Sequence, residues 1–160
     1  MGDNEKKKSK KKPKFTAKTA DKHILYEASV QAVEPNMVFV NSVYRKKRRR
    51  RPHLLREDFC GTANLACAWV RSSSKNEAWG IDLDGPTLDW GRKRHVAQLE
   101  EKAKRLHLIQ DDVLAAKAPK VDIVVAFNFS YWIFKERKTL LKYFKGVRRG
   151  LKDDGMVVLD

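Results

Sequence analysis

Two acidic residues and a glycine occupy positions that suit recognition of a nucleoside. Glu57 ends a short apolar run, a tight turn on Cys60, Gly61 and Thr62 follows, and Asp82 ends the next apolar run. An acidic residue about 20 positions after a strand–glycine–helix turn is the geometry of a nucleoside-binding βαβ unit. The turn brings backbone close to the ligand, and the Asp82 carboxylate can accept hydrogen bonds from both ribose hydroxyls.

The elements that must position these residues are alternating strands and helices. Five apolar runs of strand length cover residues 54–57, 78–82, 106–109, 121–127 and 155–159, and segments of helical periodicity separate most of them. This alternation predicts the α/β class, with a mainly parallel sheet of about five strands and right-handed crossovers. The fourth run is apolar apart from one aspartate, as is typical of a strand buried on both faces.

Three regions follow from composition. Residues 1–18 are rich in lysine and are predicted to be a disordered tail. Residues 19–52 are predicted to be a helical segment, interrupted at Pro35 and followed by a basic linker, that could form a lid on the sheet. Residues 53–160 are predicted to form the nucleoside-binding domain.

The net charge of +15 is concentrated in two tracts, residues 1–14 and 45–51, each with seven basic side chains. Either tract could be a nuclear-import signal or a surface that binds nucleic acid or another polyanion. A solubilising tail and a solvated loop are the alternative interpretation. Cys60 and Cys67 do not suggest a disulfide framework, so we expect a reducing compartment, cytoplasmic or nuclear. No apolar run is long enough to predict a membrane span.

The missing glycines indicate which nucleoside ligand to expect. A dinucleotide site requires several glycines around the pyrophosphate, whereas Phe59 and Ala63 stand where glycine is usual and only Gly61 is present. A P-loop motif is also absent from the sequence. A ligand with ribose and adenine but no phosphate fits better, and S-adenosylmethionine (SAM) is the common one.

With these motifs, residues 54–160 resemble class I SAM-dependent methyltransferases, whose sheet is Rossmann-like and seven-stranded. The strings REDFCGTA, IDLD and AFNFSYW, with DKHILYEASVQ near the start, look like one bacterial-type subgroup of general methyltransferases. The resemblance implies a three-layer sandwich with strand order 3-2-1-4-5. It also implies a methyl acceptor, whose identity it does not supply.

The resemblance assigns cofactor-binding roles at the carboxyl ends of four strands. Asp82 would hold the ribose diol, and the carboxylate of the pair after the third strand would meet the adenine amino group. The residues implied in cofactor binding are Glu57, Phe59, Cys60, Gly61, Thr62, Ala63, Asp82, Leu83, Asp112, Val113 and Asn128.

Several of these assignments have a structural alternative. Asp82 could cap the following helix, Asp111 competes with Asp112, and Glu57 could pair with the adjacent Arg56. The four histidines show no ligand spacing, so no metal site is predicted.

The segment NFSYW, residues 128–132, supplies the only candidates for a role beside the acceptor. Amino-methyltransferases carry [DNS]-P-P-[YF] at this place, and Asn128 and Tyr131 match it without either proline. An aromatic wall specific to this group of proteins is the alternative interpretation. The sequence nominates no general base.

The recognisable pattern stops at the fifth run, so we expect a fold whose C-terminal strands are missing. That run, GMVVL at residues 155–159, would then be an unprotected apolar edge strand. Such edges pair readily with other chains, which predicts self-association.

Overall fold

The computed structural model describes Thr16 and residues 19–160, and the predicted tail otherwise lies outside the described residues. Five strands form one parallel sheet in the order β3-β2-β1-β4-β5. The strands are β1 Leu54–Asp58, β2 Glu77–Asp82, β3 Leu106–Gln110, β4 Val121–Ala126 and β5 Leu151–Leu159. The predicted class and strand order are therefore confirmed.

Helices cover both faces of the sheet. They are α1 Lys22–Val30, α2 Val33–Arg48, α3 Asn64–Ser72, α4 Gly85–Arg94 and α5 Arg137–Gly150. Alternate residues of β4 divide between two apolar cores, because successive strand side chains point to opposite faces. Ile123 and Val125 pack with α2 and α3, whereas Val124 packs with Tyr143 and Val147 of α5. The result is the three-layer arrangement that the resemblance implies.

The N-terminal helices differ in two details from the sequence prediction. The break between α1 and α2 falls at Gln31 and Ala32, and Pro35 lies inside the first turn of α2. A proline is tolerated there because the first-turn amides have no partner within the helix. The prediction of a basic linker over residues 45–51 is wrong for residues 45–48, since α2 continues through Arg48. Cations in a last helical turn are favoured by the helix dipole.

The apolar spacing of the segment after β2 predicts a single helix, but the structure has two separate helical segments there. Helix α4 ends at Arg94, and a 3₁₀ segment, Val96–Arg105, is broken at Glu100, whose φ is 51°. Arg105 fixes the far end of this segment by donating hydrogen bonds to the carbonyls of Val70 and Ser73. Within the described residues, no helix has both the length and the apolarity to cross a membrane.

Candidate functional site

The turn between β1 and α3 has the backbone of a glycine-rich loop, although only one glycine is present. Phe59, Gly61 and Ala63 have φ angles of 58°, 53° and 56°, so every second residue is left-handed. Non-glycine residues rarely adopt this conformation, and it costs roughly 1–2 kcal/mol for each. Phe59 and Ala63 depart from the glycine motif in residue type, yet the chain keeps the backbone conformation that the motif requires.

Hydrogen bonds and close packing hold this strained turn. The Cys60 amide donates to the Ile81 carbonyl at 3.0 Å, and the Gly61 amide donates to Asp82 Oδ2 at 2.7 Å. Helix α4 approaches from the other side so closely that a β-carbon at Gly91 would lie 2.7 Å from the carbonyl carbon of Thr62. The turn is therefore fixed by its surroundings, which is typical of functional backbone strain.

The Asp82 carboxylate lies beside this turn at the end of β2. Besides the Gly61 amide, it accepts a hydrogen bond from the Asp84 amide through Oδ1 at 2.9 Å. Asp84, rather than Asp82, is the residue that caps α4. Each Asp82 oxygen thus has one amide donor and one further lone pair for a ligand. Leu83 is exposed next to it and offers an apolar surface.

Glu57 is buried on the opposite side of the turn. Its Oε2 accepts a hydrogen bond from the Ala66 amide of α3 at 2.9 Å. Burial, reinforced by the nearby Asp82 and Asp58 carboxylates, raises the pKa of Glu57 to about 8. The alternative pairing with Arg56 is wrong: Arg56 binds Asp58, because residues 56 and 58 share one face of β1 and Glu57 faces the other.

A cavity of about 20 Å³ separates Glu57 from Asn128, and residues of the α1–α2 junction, among them Gln31 and Asn36, close it. This volume suffices for about one water molecule. Asn128 lies at the carboxyl end of β4. The structure thus brings Glu57 and Asn128 to one place, beneath the N-terminal helices.

Asp112 follows β3 at the same edge of the sheet. Its Oδ1 accepts a hydrogen bond from the Leu114 amide at 2.8 Å, while Asp111 Oδ1 accepts from the Asp112 amide at 2.7 Å. The adjacent Val113 is buried. Both aspartates are only half-buried, so the geometry does not choose between them.

The loop after β4 is also strained. Asn128 and Phe129 are consecutive residues with φ of 59° and 55°. Phe129 is 61% exposed and Trp132 is 57% exposed, and their rings make an edge contact at 5.7 Å between centroids. Tyr131 is half-buried and packs against Phe144 of α5. An aromatic surface therefore borders the carboxyl edge of the sheet at this loop.

Because the backbone at Phe129 is left-handed, glycine is expected to give a more stable protein than alanine at this position. We expect Phe129→Gly to have a free energy of unfolding about 1 kcal/mol higher than Phe129→Ala, since only the alanine keeps a β-carbon at positive φ. Urea denaturation of the two variants measures the difference. In helices and strands alanine is normally the more stable of the two, so a more stable alanine variant here would contradict the left-handed conformation.

Helix α1 reaches the glycine-like turn through polar contacts, which sequence reasoning missed. Glu27 Oε1 accepts a hydrogen bond from Thr62 Oγ1 at 2.6 Å and lies 2.6 Å from His95 Nε2. Asp21 caps α1 and accepts from Trp90 Nε1 at 2.8 Å. No residue of α1 is buried. The helix is therefore held over the turn mainly by hydrogen bonds; isolated polar residues on a short helix give no sequence signal for this.

The cysteines of this region are protonated packing residues. Burial raises the pKa of both the Cys60 and the Cys67 thiols, and the nearby Glu57 carboxylate adds to the effect. Both are free and buried. A protonated thiol is a weak nucleophile, so this geometry does not suit covalent catalysis.

A doubly wound parallel sheet with its polar residues at the carboxyl ends of β1 to β4 defines the class of Rossmann-like nucleoside-binding domains. The methyltransferase domain family matches residues 60–157, and the chain belongs to that family. The match spans the turn, Asp82, Asp112 and the loop after β4. A comparison with curated proteins gave no match.

Solved structures with this fold include several methyltransferases. A SAM-dependent methyltransferase from Clostridium acetobutylicum is 20% identical with a TM-score of 0.70, over 86% of this chain and 54% of that one. The sugar N-methyltransferase KedS8 from a Streptoalloteichus species is 18% identical with a TM-score of 0.67, over 98% and 60%. SAM-bound CalS10, an amino pentose methyltransferase from Micromonospora echinaspora, is 14% identical with a TM-score of 0.69, over 94% and 58%. The chain thus spans little more than half the length of these proteins.

Proposed function

We propose that this chain binds SAM at the carboxyl edge of its sheet and serves transfer of the SAM methyl group to an acceptor. The observation that carries the proposal is the turn at residues 59–63, where three alternate left-handed residues adjoin the Asp82 carboxylate. That conformation costs energy at Phe59 and Ala63, and close approach of backbone to a ligand would account for its presence.

The residues present suit each part of this cofactor. Asp82 has lone pairs free for the ribose hydroxyls, Leu83 offers apolar contact to adenine, and Asp112 can accept from its amino group. Glu57 has one carboxylate oxygen without a protein donor among the described residues, and its side chain lines the cavity beside Asn128. A buried carboxylate there suits the cofactor's ammonium group.

The sulfonium group of the cofactor supplies a methyl carbon with a good leaving group already attached. The protein's contribution is then alignment and exclusion of water rather than proton transfer. Helix α1, hydrogen-bonded to Thr62 and packed by polar contacts on α4, can exclude water from the turn. Because the cavity beside Glu57 holds only about one water, residues 31–36 must move to admit a ligand.

The loop after β4 is the proposed acceptor side of the site. Asn128 offers a carboxamide oxygen to an acceptor that carries a proton, and Tyr131 with exposed Phe129 and Trp132 forms an aromatic wall. KedS8 and CalS10 are described as methylating a sugar and an amino pentose. A small acceptor with a nucleophilic nitrogen or oxygen is therefore the class to test first with this chain.

Calorimetric titration with SAM, S-adenosylhomocysteine and NAD separates this proposal from a nicotinamide-dependent oxidoreductase. We expect binding of SAM and S-adenosylhomocysteine but not NAD, because the Phe59 and Ala63 side chains crowd the path of a pyrophosphate. Binding of NAD alone would overturn the proposal.

Removing the Asp82 carboxylate tests the ribose contact. We expect Asp82→Ala to weaken SAM binding by roughly ten- to 150-fold, since a hydrogen bond to a charged group contributes roughly 1.5–3 kcal/mol. The matched control is Asp84→Ala, which removes a carboxylate two residues away that caps α4 through the Thr87 amide. The control should lose about 1 kcal/mol of stability and keep its affinity. Equal affinities for Asp82→Ala and the unmodified chain would show that the assignment is wrong.

A further inference from the structure

An open groove of about 740 Å³ runs along α2 from Met37 onwards and along the segment that follows the helix. Five cationic residues line it: Arg45, Lys46, Arg49, Arg50 and Arg51. With Lys47 and Arg48 they form seven consecutive exposed basic residues. Met37 and Val38 close the apolar end of the groove.

Two cations of this run anchor α2 to the sheet. Arg50 forms salt bridges with Asp122 at 2.9 Å and Asp154 at 2.8 Å, and Arg48 Nε donates to the Asp154 carbonyl at 2.6 Å. These contacts join the end of α2 to β4 and β5. They account for Arg48 and Arg50 as structural residues.

The other five cations have no such explanation. No described residue forms a salt bridge with Arg45, Lys46, Lys47, Arg49 or Arg51. One or two cations in the last turn satisfy a helix dipole, and further like charges at neighbouring positions repel one another. Repulsion within this cluster destabilises the folded chain, and an anionic partner would relieve that repulsion.

The spacing of the groove cations matches a phosphate chain. Arg45 lies in the last turn of α2 and Arg49 is its C-cap, so the two are about 6 Å apart along the axis. Each strand of a duplex carries one phosphate per roughly 3.4 Å of the duplex axis, so this distance covers about two phosphates of one strand. Guanidinium groups bind phosphate oxygens with two parallel hydrogen bonds. Lining residues recur every four positions of α2, at Met37, Asn41 and Arg45, so the groove follows the helix axis and suits an extended chain.

We propose that this groove binds the phosphate backbone of a nucleic acid. None of the residues that line it is aromatic, so it offers no surface for base stacking. Recognition therefore depends on charge and shape, with no reading of sequence. The cations of the groove lie at the C-terminal end of α2 and the cavity beside Glu57 at its N-terminal end, roughly 15–20 Å apart along the helix, so each site can be tested alone.

Fluorescence anisotropy with a labelled 20-base-pair duplex tests the proposal. The triple variant Arg45→Gln, Lys46→Gln, Arg49→Gln leaves Arg48 and Arg50 in place, so the anchors of α2 are kept. We expect its affinity to fall by about tenfold or more and the slope of log K against log salt to drop by roughly 2–3, one contact for each cation removed. Duplexes of unrelated sequence should bind equally well. SAM affinity should be unchanged.

The matched control is Lys138→Gln, Lys142→Gln, Lys145→Gln, which removes the same charge from exposed positions of α5 on the other face of the sheet. This α5 triple variant should lower the affinity for the duplex much less than the groove variant does. Equal losses in the two triple variants would overturn the proposal, because binding would then follow total charge. An unchanged affinity in the groove variant would also overturn the proposal, because residues outside the groove would then bind the duplex. Groove-dependent binding to anionic phosphatidylserine vesicles without duplex binding would also overturn it.

Discussion

Replacing Asp58 with alanine is expected to lower the free energy of unfolding by about 3–5 kcal/mol, the cost of leaving a buried charge without its partner. Asp58 lies in the central strand β1 and is 1% exposed; Arg56 is 4% exposed. Arg56 donates to both carboxylate oxygens, at 2.6 Å from Nε and 2.8 Å from Nη2. The Tyr143 hydroxyl donates to the same carboxylate at 3.0 Å. Asp58→Ala leaves a buried guanidinium and a buried hydroxyl without an acceptor.

Urea denaturation, followed by circular dichroism, measures this loss, and two further variants identify its cause. Tyr143→Phe removes a single hydrogen bond and should cost about 1 kcal/mol. The double variant Arg56→Met, Asp58→Leu removes both charges and should recover most of the stability that Asp58→Ala loses. If Asp58→Ala costs no more than Tyr143→Phe, the ion pair is not the buried interaction that the geometry shows.

This pair also excludes the alternative in which Glu57 forms an ion pair with Arg56. Arg56 and Glu57 are adjacent in the chain, which suggested an ion pair, but adjacent strand residues point to opposite faces. Period-two alternation in LLRED places Arg56 and Asp58 on the α5 side and Glu57 on the α3 side. The alternation is visible in the sequence, but assigning each face also requires knowing which helix packs against it.

The order of elements was predictable because each strand is a distinct apolar run that ends in polar residues. The conformation at Phe59 and Ala63 was not, because their residue types argue against left-handed backbone. Tertiary contacts, such as the Gly61 amide with Asp82 and the close approach of Gly91, hold the turn in place. A motif comparison that counts glycines therefore underestimates how fully this chain retains the loop.

The N-terminal helices show a second limit. A sequence can indicate that a helix forms in this segment, but not where the helix lies. Its position depends on polar pairs distant in the chain, Glu27 with Thr62 and Asp21 with Trp90. Such pairs have no periodicity, so the covering of the site became evident only from the fold.

The raised pKa of Glu57 has a consequence for ligand binding, given the proposed function. With its pKa at about 8, Glu57 is protonated in most free molecules at neutral pH. A cofactor ammonium group beside it favours the ionised form, so binding must release that proton. SAM affinity should therefore rise close to tenfold from pH 6 to pH 7, as the ionised fraction does, and by roughly a further fivefold to pH 8.

The stability of the free protein should change with pH in the opposite direction. A carboxyl group whose folded pKa lies above its unfolded value binds its proton more tightly when folded. The stability that Glu57 contributes is therefore fully present below the unfolded value of 4.5 and is lost as pH rises through about 8. Affinity that rises while stability falls over one pH range distinguishes this group from a general effect of net charge.

Calorimetry at pH 6.5 in phosphate and in Tris, whose ionisation enthalpies differ, should show about one proton released for each SAM bound. Glu57→Gln is the control, since an amide resembles the neutral acid: its affinity should be lower than that of the unmodified chain already at pH 6 and stay constant as pH rises. The unmodified chain should then bind increasingly better than the variant. Parallel pH profiles for the two proteins, with no proton released, would show that Glu57 does not contact the cofactor's ammonium group. A buried carboxyl at the end of β1 would then be a structural residue held by the Ala66 amide.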